Sequence, residues 1–193
     1  MTDFESALQS PDRQVRLAAL TDVSPADLPP EDKKDLLFIV LKGDPHDSVR
    51  SKAVELLLSL FPKDREVHEV LFTHLKKEPF WAVRFRILRT LQELGIDFHP
   101  YKSQLVTASF DVKPQVRITC AELLLPLSND DEDVATRLVQ LVKDRDESVR
   151  TRVEQLLVHS SNPQLKELME EYERKLAEKE KKRKEIAGMF DGI

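Results

Sequence analysis

The sequence has little of what builds disulfides, flexible joints or membrane spans. Its 193 residues include one cysteine, Cys120, and four glycines. One cysteine cannot form an internal disulfide, and so few glycines leave few flexible joints. No apolar run reaches the roughly 18 residues of a transmembrane helix, and the N-terminus lacks the basic start and apolar core of a signal peptide. We therefore expect an intracellular protein that has no membrane partner and is cytoplasmic, with the nucleus as the alternative.

Arrangements typical of metal sites and catalytic centres are also missing. No two of the five histidines are four residues apart, and no cluster of cysteines accompanies them. The sequence has no glycine-rich phosphate loop and no G-x-S-x-G motif around a nucleophile. Cys120 falls in a row of small apolar residues, which favours a packing role. The sequence therefore predicts no metal, no cofactor, no small-molecule substrate and no enzymatic activity.

What the sequence does contain is an internal repeat. The dipeptide Val-Arg occurs five times, at intervals of 34, 34, 33 and 33 residues. The five copies are Val15/Arg16, Val49/Arg50, Val83/Arg84, Val116/Arg117 and Val149/Arg150. A period between about 20 and 50 residues indicates one supersecondary unit stacked several times, in which each unit buries its apolar face against its neighbours.

The positions around the dipeptide repeat as well. An acid stands five residues before each of the last four valines, whereas the first unit has Ser10 there. These acids are Asp44, Glu78, Asp111 and Asp144. Small or apolar residues follow each arginine at offsets of three and seven, and a second apolar stripe lies eight and eleven residues before each of the last four valines. Such offsets share one face of an α-helix. Each unit is therefore predicted to be two antiparallel helices, A and B, joined by a turn that carries the acid.

This pattern of turn acid, Val-Arg and apolar positions resembles the B-helix of HEAT repeats, including the HEAT-like repeats of bilin lyases. The resemblance implies an all-α fold, a right-handed α-solenoid of about five helical hairpins with a long C-terminal helix. It also implies that the turn acids pair with the B-helix arginines within and between repeats, a structural role. These pairs would join Asp44, Glu78, Asp111 and Asp144 to Arg50, Arg84, Arg117 and Arg150.

Three regions are predicted along the chain. Residues 1–162 form the solenoid, and residues 163–187 form a long charged helix whose first half caps it. Residues 188–193 are a short apolar tail that includes Phe190, a candidate linear motif for a groove in a partner. The second half of the helix is basic, since residues 174–184 carry seven basic and two acidic side chains in a chain of net charge −5. Its candidate contacts are Arg174, Lys175, Lys181, Lys182, Arg183 and Lys184.

A candidate binding surface follows from the B-helix positions outside the apolar stripe. In solenoids of this kind the B-helices line the concave side, so a basic stripe is expected there. It would consist of Lys52, Arg86, Arg89 and Arg152, with Trp81 as an aromatic anchor. Such a stripe suits an acidic peptide or a phosphate backbone. A solvated face with interspersed glutamates, and packing of Trp81 between repeats, are the structural alternatives.

The favoured function is a non-catalytic scaffold, an adaptor or assembly subunit of an intracellular complex that binds a protein. The alternative is a protein associated with nucleic acid or the ribosome, which contacts phosphate through the stripe and the basic helix. Its enzymatic extreme resembles the DNA glycosylases built from HEAT-like repeats, with Phe80, Trp81 and Asp97 as candidates. The acidic net charge of the chain disfavours the nucleic-acid alternative.

Overall fold

The computed structural model describes residues 3–22 and 28–190, with side chains described up to residue 183. Within these ranges the chain has eleven α-helices and no β-strand, which confirms the all-α fold. The helices are α1 (Asp3–Leu8), α2 (Arg13–Thr21), α3 (Pro30–Gly43), α4 (Asp47–Leu60), α5 (Arg65–Leu75), α6 (Trp81–Leu94), α7 (Lys102–Ala108), α8 (Pro114–Leu124), α9 (Glu132–Leu141), α10 (Glu147–Val158) and α11 (Pro163–Phe190). The first ten form the five expected hairpins, α1/α2 to α9/α10, and every Val-Arg pair lies near the start of a helix B.

Capping residues explain where several helices begin and end. The side chains of Asp12, Asp64, Asp131 and Asp146 accept hydrogen bonds from backbone N–H groups in the first turns of α2, α5, α9 and α10. Such caps satisfy N–H groups that have no partner inside the helix. Helix α6 ends at Gly95, whose φ of 62° is left-handed. Glycine adopts this conformation without a steric penalty, which makes it a common helix terminator.

The chain divides into two compact units, Met1–Gln104 and Leu105–Ile193, and the division falls within α7. The core of the first unit contains the Phe72 ring, which stacks on Tyr101 with the ring centroids 4.2 Å apart. The core of the second unit contains Leu124, Leu138 and Cys120, all inaccessible to solvent. Each unit therefore has its own apolar core, as its helical stripes predicted.

The repeated valines face the core in four of the five units. Val49, Val83, Val116 and Val149 are fully buried, whereas Val15 is 42% exposed. The repeated valine is therefore part of the core in every unit except the first. Its helix A, α1, has only six residues, and no earlier hairpin exists in the described chain to cover α2. The first Val-Arg pair thus keeps its arginine contacts but not its buried valine.

Helix α11 starts as packed structure and continues as an exposed helix. Its N-cap is Asn162, whose side-chain oxygen accepts a hydrogen bond from the Gln164 N–H (3.0 Å). Leu165 is buried, and α11 packs against α9. From residue 173 to residue 183 every residue except Leu176 is exposed. The helix continues to Phe190, three residues beyond its predicted end. None of the described helices is both long and apolar enough to cross a lipid bilayer.

Candidate binding surfaces

The turn between helices A and B is closed by its acid. In the second, fourth and fifth repeats an aspartate accepts the backbone N–H two residues later, with O···N distances of 2.8 to 2.9 Å. In the third repeat Glu78 does the same for the Phe80 N–H at 2.9 Å. A carboxylate at this position therefore fixes the entry into helix B, which explains why the acid recurs five residues before the valine.

The repeated arginines connect one repeat to the next. Arg50 donates to the Asp44 carbonyl of its own turn (2.9 Å) and to the Glu78 carboxylate of the following turn (2.6 and 2.9 Å). Arg117 likewise donates to the Asp111 carbonyl at 2.7 Å, and its Nε lies 2.9 Å from the Asp144 carboxylate. The predicted pairing of a turn acid with the arginine of its own repeat is therefore wrong for Arg50 and Arg117. The acid that each of these arginines binds belongs to the next repeat.

The first and last repeats show how this ladder of arginines ends. Arg16 donates to the Ser10 carbonyl (2.7 Å) and pairs with Asp44 (2.6 Å). Ser10 thus supplies the same main-chain contact as the turn acids of the other repeats, without a carboxylate. Arg150 donates to the Asp144 carbonyl at 2.8 Å, and no further Val-Arg repeat follows it. Both units therefore keep the main-chain contact of the ladder.

The most enclosed part of the ladder is the Glu78 carboxylate, which is fully buried. It accepts hydrogen bonds from Arg50, from the Phe80 N–H and from His74 Nε2 (2.8 Å). Burial acts to raise the pKa of Glu78, but the hydrogen bonds from His74, Arg50 and Phe80 outweigh it and hold the pKa at about 2. The carboxylate therefore remains ionised inside the turn and is fully occupied by groups of its own chain.

Two residues of the predicted basic stripe meet in the first unit, but an acid lies between them. Glu55 is within 3.4 Å of both Lys52 Nζ and Arg86 Nε. Arg89, one turn after Arg86 on α6, donates to Gln92 at 2.8 Å and lies 3.7 Å from Glu93. All three cations are partly exposed. The surface they form has mixed charge, as the alternative of interspersed glutamates anticipated.

Arg152 belongs to the second unit, where it pairs with Glu122 at 2.7 Å. Leu125, Gln155, Leu156 and His159 surround it in a shallow depression. Because the carboxylate of Glu122 already neutralises this guanidinium, the depression is not a strongly basic site. Whether Arg152 binds a partner stays a prediction.

Trp81 is neither fully buried nor fully exposed. It opens α6, and its ring centroid lies 6.5 Å from that of Phe85 in a tilted arrangement. The preceding Phe80 is 45% exposed, although its backbone N–H is bound by Glu78. The pair therefore packs in part against its own helix and in part faces solvent.

The predicted basic residues of the C-terminal helix share one environment. Those with described side chains are exposed, namely Arg174, Lys175, Lys181, Lys182 and Arg183. Lys175 pairs with Glu171 one turn earlier at 2.6 Å, a contact typical of a solvated helix. The side chains of Lys184 and Phe190 lie outside the described part, so the candidate motif at Phe190 stays a prediction.

The residues considered for chemistry have structural surroundings. Among the described residues no three His, Cys, Asp or Glu side chains are grouped so as to hold a metal ion. Cys120 is fully buried, and burial raises the pKa of its thiol, which opposes formation of a thiolate. Asp97 accepts hydrogen bonds from the backbone N–H and the ring of His99. These hydrogen bonds lower the pKa of this exposed carboxylate, which closes the turn before residues 99–101.

Sequence reasoning missed a second turn with unusual chemistry, in the fourth repeat. Phe110 and Val112 are exposed, at 62% and 68%. The Arg137 guanidinium carbon lies 3.6 Å from the centre of the Phe110 ring. Arg137 also donates to the side-chain and main-chain oxygens of Ser109 (2.7 and 2.8 Å). Arg145 donates to the Val112 carbonyl at 3.1 Å. The sequence signal was a departure from the repeat pattern at these positions.

Comparison with known proteins gives relatives in structure but none in sequence. No family model matches the chain, and no curated protein matches it. A structure from work on TOG–tubulin binding specificity, microtubule dynamics and mitotic spindle formation superposes with a TM-score of 0.58 and 16% identity, covering 86% of this chain and 79% of that one. A designed armadillo repeat protein in complex with the peptide (KR)4 gives a TM-score of 0.50 and 19% identity, covering 87% and 85%. Together with the five hairpins, these likenesses show that the chain has the fold of an α-solenoid of HEAT-like repeats.

Proposed function

We propose that this protein is a non-catalytic protein-binding scaffold, an adaptor or assembly subunit of a cytoplasmic complex. The observation that carries the proposal is a contrast between two sets of cationic side chains. The ladder cations Arg16, Arg50 and Arg117 are buried and bound within the fold, whereas the cations of the basic stripe on the B-helices are partly or fully exposed. A mixed-charge surface suits recognition of another protein.

Two further considerations support a protein partner. The two solved structures of similar fold concern binding of tubulin and of a peptide, respectively. The Glu55 carboxylate between Lys52 and Arg86 also weakens the attraction of this surface for phosphate. A protein partner can instead present both acidic and basic groups to the surface. A protein surface that presents carboxylates to the two cations and a donor to Glu55 would be complementary.

Affinity capture of the tagged full chain from its native cells, followed by cross-linking and mass spectrometry, tests this function. The wild type is compared with a variant carrying K52E, R86E and R89E. The matched control is R65E, which reverses an exposed arginine paired with Glu69 on a helix A. We expect a protein recovered in stoichiometric amount by the wild type and by R65E, and lost from the triple variant. Recovery of no protein above background would contradict the scaffold function.

A specific observation favours a second candidate, contact with nucleic acid. Lys175, Lys179 and Lys182 fall on one side of α11 at helical spacing, and all three are exposed. Lysines in such a row would bind RNA or ribosomal phosphate with an affinity that falls steeply with salt. Titration with RNA and duplex DNA at increasing salt, for the full chain and for a chain ending at residue 173, tests it. Absence of binding at low salt would remove this candidate.

A further inference from the structure

The turn of the fourth repeat departs from its equivalents at three positions. The residue before the turn acid is Gly43, Lys77 or Lys143 in the other repeats, but Phe110 here. The residue after the acid is Pro45, Pro79 or Arg145 elsewhere, but Val112 here. Two exposed apolar side chains thus occupy places that the other repeats give to polar or turn-forming residues.

The third departure lies on the helix that packs behind this turn. Twelve residues before the valine, the second and third repeats have the fully buried Leu37 and Leu71 and the fourth has the exposed Gln104, whereas the fifth has Arg137. Its guanidinium is half-buried and lies over the Phe110 ring, and burial lowers its pKa. The arginine at this position supplies the Phe110 ring with a cation at its inner face.

Arg137 and Arg145 hold the turn in one conformation. Arg137 binds the Ser109 carbonyl and hydroxyl, and Arg145 binds the Val112 carbonyl. The Lys113 N–H is bound by Asp111 at 2.8 Å. A partner would therefore meet a turn that is already ordered, which lowers the entropic cost of binding.

The positive charge of this surface is only partly offset by acids of the same chain, since Asp144 attracts Arg137 from a distance while it pairs with Arg117. In the described part of the chain neither Arg137 nor Arg145 has a carboxylate within salt-bridge distance, and their hydrogen bonds go to neutral oxygens. The acids nearest in sequence to Arg145 are engaged elsewhere, since Asp144 binds Arg117 and Asp146 caps α10 through Ser148. A carboxylate from another molecule would complete the electrostatics of both guanidinium groups.

We propose that the fourth-repeat turn, meaning residues 109–113 with Arg137 and Arg145, is a docking surface for a protein segment that presents an apolar side chain next to a carboxylate. The apolar group covers Phe110 and Val112, and the carboxylate binds the two arginines. Aromatic and arginine side chains are the residues most enriched at the centres of protein interfaces. The inference rests on the proposed scaffold function and names one binding surface of the scaffold, which is distinct from the basic stripe of the B-helices.

Selection from a displayed library of random short peptides tests the docking surface. The full-length wild-type chain is the bait, and the folded double variant F110S/V112S is used for counter-selection. We expect enriched peptides that combine an aromatic or aliphatic residue with aspartate or glutamate. In direct titration these peptides should bind F110S/V112S and R137Q about tenfold or more weakly than the wild type. Added salt should weaken binding to the wild type.

Two controls keep the result specific. V158S removes another exposed valine of the same unit and should change the affinity by no more than about twofold. R145Q leaves the contact between Phe110 and Arg137 in place. A loss of affinity in this variant therefore reflects the missing Arg145 guanidinium rather than disruption of that contact. Thermal unfolding of each variant, followed by circular dichroism, confirms that the baits are folded.

Several outcomes would overturn the docking surface. One is enrichment of basic peptides, and another is enrichment only of peptides that bind F110S/V112S as well as the wild type. Failure to enrich any peptide also counts against it. Dimerisation of the wild type that F110S/V112S abolishes, seen by sedimentation velocity, would identify a second copy of the chain as the occupant. None of these results removes the scaffold function, which the capture experiment with the B-helix variants tests separately.

Discussion

The turns of the third and fourth repeats occupy the same place in the repeat and treat charge in opposite ways. At the third, Glu78 is buried and its carboxylate is saturated by Arg50, His74 and a backbone N–H. At the fourth, Phe110 and Val112 face solvent, and the arginines behind them donate to neutral oxygens. The carboxylate of the third-repeat turn is fully paired within the chain. The fourth-repeat turn instead exposes apolar area next to positive charge, which another molecule can bind.

This difference separates structural charge from functional charge. An arginine that pairs with a buried carboxylate of its own chain stabilises the fold. Substitution of either residue leaves the other as a buried charge without a partner, which is destabilising. An arginine that is held in place but not neutralised costs less to remove and can attract a ligand. Substitutions at the two turns should therefore affect different measurements.

The largest effect on stability is expected from E78A. It leaves the buried Arg50 without its carboxylate, and removal of one partner of a buried ion pair costs about 3–5 kcal/mol. Urea unfolding should show a correspondingly lower free energy of unfolding. The control E93A removes an exposed carboxylate 3.7 Å from Arg89 and should cost less than about 1 kcal/mol. Equal effects of E78A and E93A would mean that the third turn is not structural.

The stability contributed by Glu78 should also depend on pH. Its pKa in the folded protein is about 2, below the ordinary value of 4.5. A lowered pKa means that the carboxylate stabilises the fold above about pH 4.5 and loses this contribution as the pH falls towards 2. The difference in unfolding temperature between the wild type and E78Q should therefore be constant near neutral pH and shrink in acid. A difference that stays constant down to pH 2 would contradict the assignment.

At the fourth turn, R137L should separate stability from binding. Leucine is buried at the equivalent position of two other repeats, as Leu37 and Leu71, so its size suits the site, but the Ser109 oxygens lose their donor. Each lost hydrogen bond costs about 1 kcal/mol, and the two that Arg137 donates to Ser109 are both removed. We expect a loss of this size in urea unfolding, together with loss of peptide binding. A cost as large as that of E78A would make Arg137 part of the structural ladder.

The contact between Phe110 and Arg137 should be weak but measurable. A cation over a partly exposed ring contributes about 0.5–1 kcal/mol. A double-mutant cycle with F110S and R137Q, followed by urea unfolding, should give a coupling energy in this range. Additive effects of the two substitutions would show that the ring and the guanidinium do not stabilise each other.

The smallest effect is expected at the mixed-charge surface of the first unit. E55Q removes a carboxylate that both Lys52 and Arg86 approach only to 3.4 Å, at partly exposed positions. Such pairs contribute less than about 1 kcal/mol, and salt screens them. We expect little change in the unfolding free energy, and a more basic surface that binds phosphate polymers more strongly. A large destabilisation would place Glu55 among the structural acids.

The repeat made the fold predictable from sequence, because five aligned copies reveal which positions are apolar and which carry the turn acid. The hairpins and the buried Cys120 follow from such local patterns. The partner of each ladder arginine could not be predicted in this way. Arg50 and Glu78 are 28 residues apart, and no local pattern indicates that an arginine pairs with the acid of the next repeat. Spatial pairing is what periodicity alone cannot supply.

The candidate site was harder to predict for the same reason. The stripe was derived from positions outside the apolar pattern. The glutamate Glu55 lies close to Lys52 in sequence, but its approach to Arg86 on another helix could be recognised only in three dimensions. Phe110 and Arg137 were visible as exceptions to the repeat, but they lie 27 positions apart in sequence. Their contact becomes meaningful only once the fifth repeat is stacked on the fourth.

Hydrogen exchange of the full chain with and without a selected peptide tests most directly whether the fourth-repeat turn is the open one. The account predicts that bound peptide slows exchange most strongly in residues 109–113 and around Arg137 and Arg145. Exchange around Glu78 should be unchanged, because that turn is already closed. Protection confined to α4 and α6, or to the exposed half of α11, would contradict the claim and return the binding surface to the basic residues predicted from sequence.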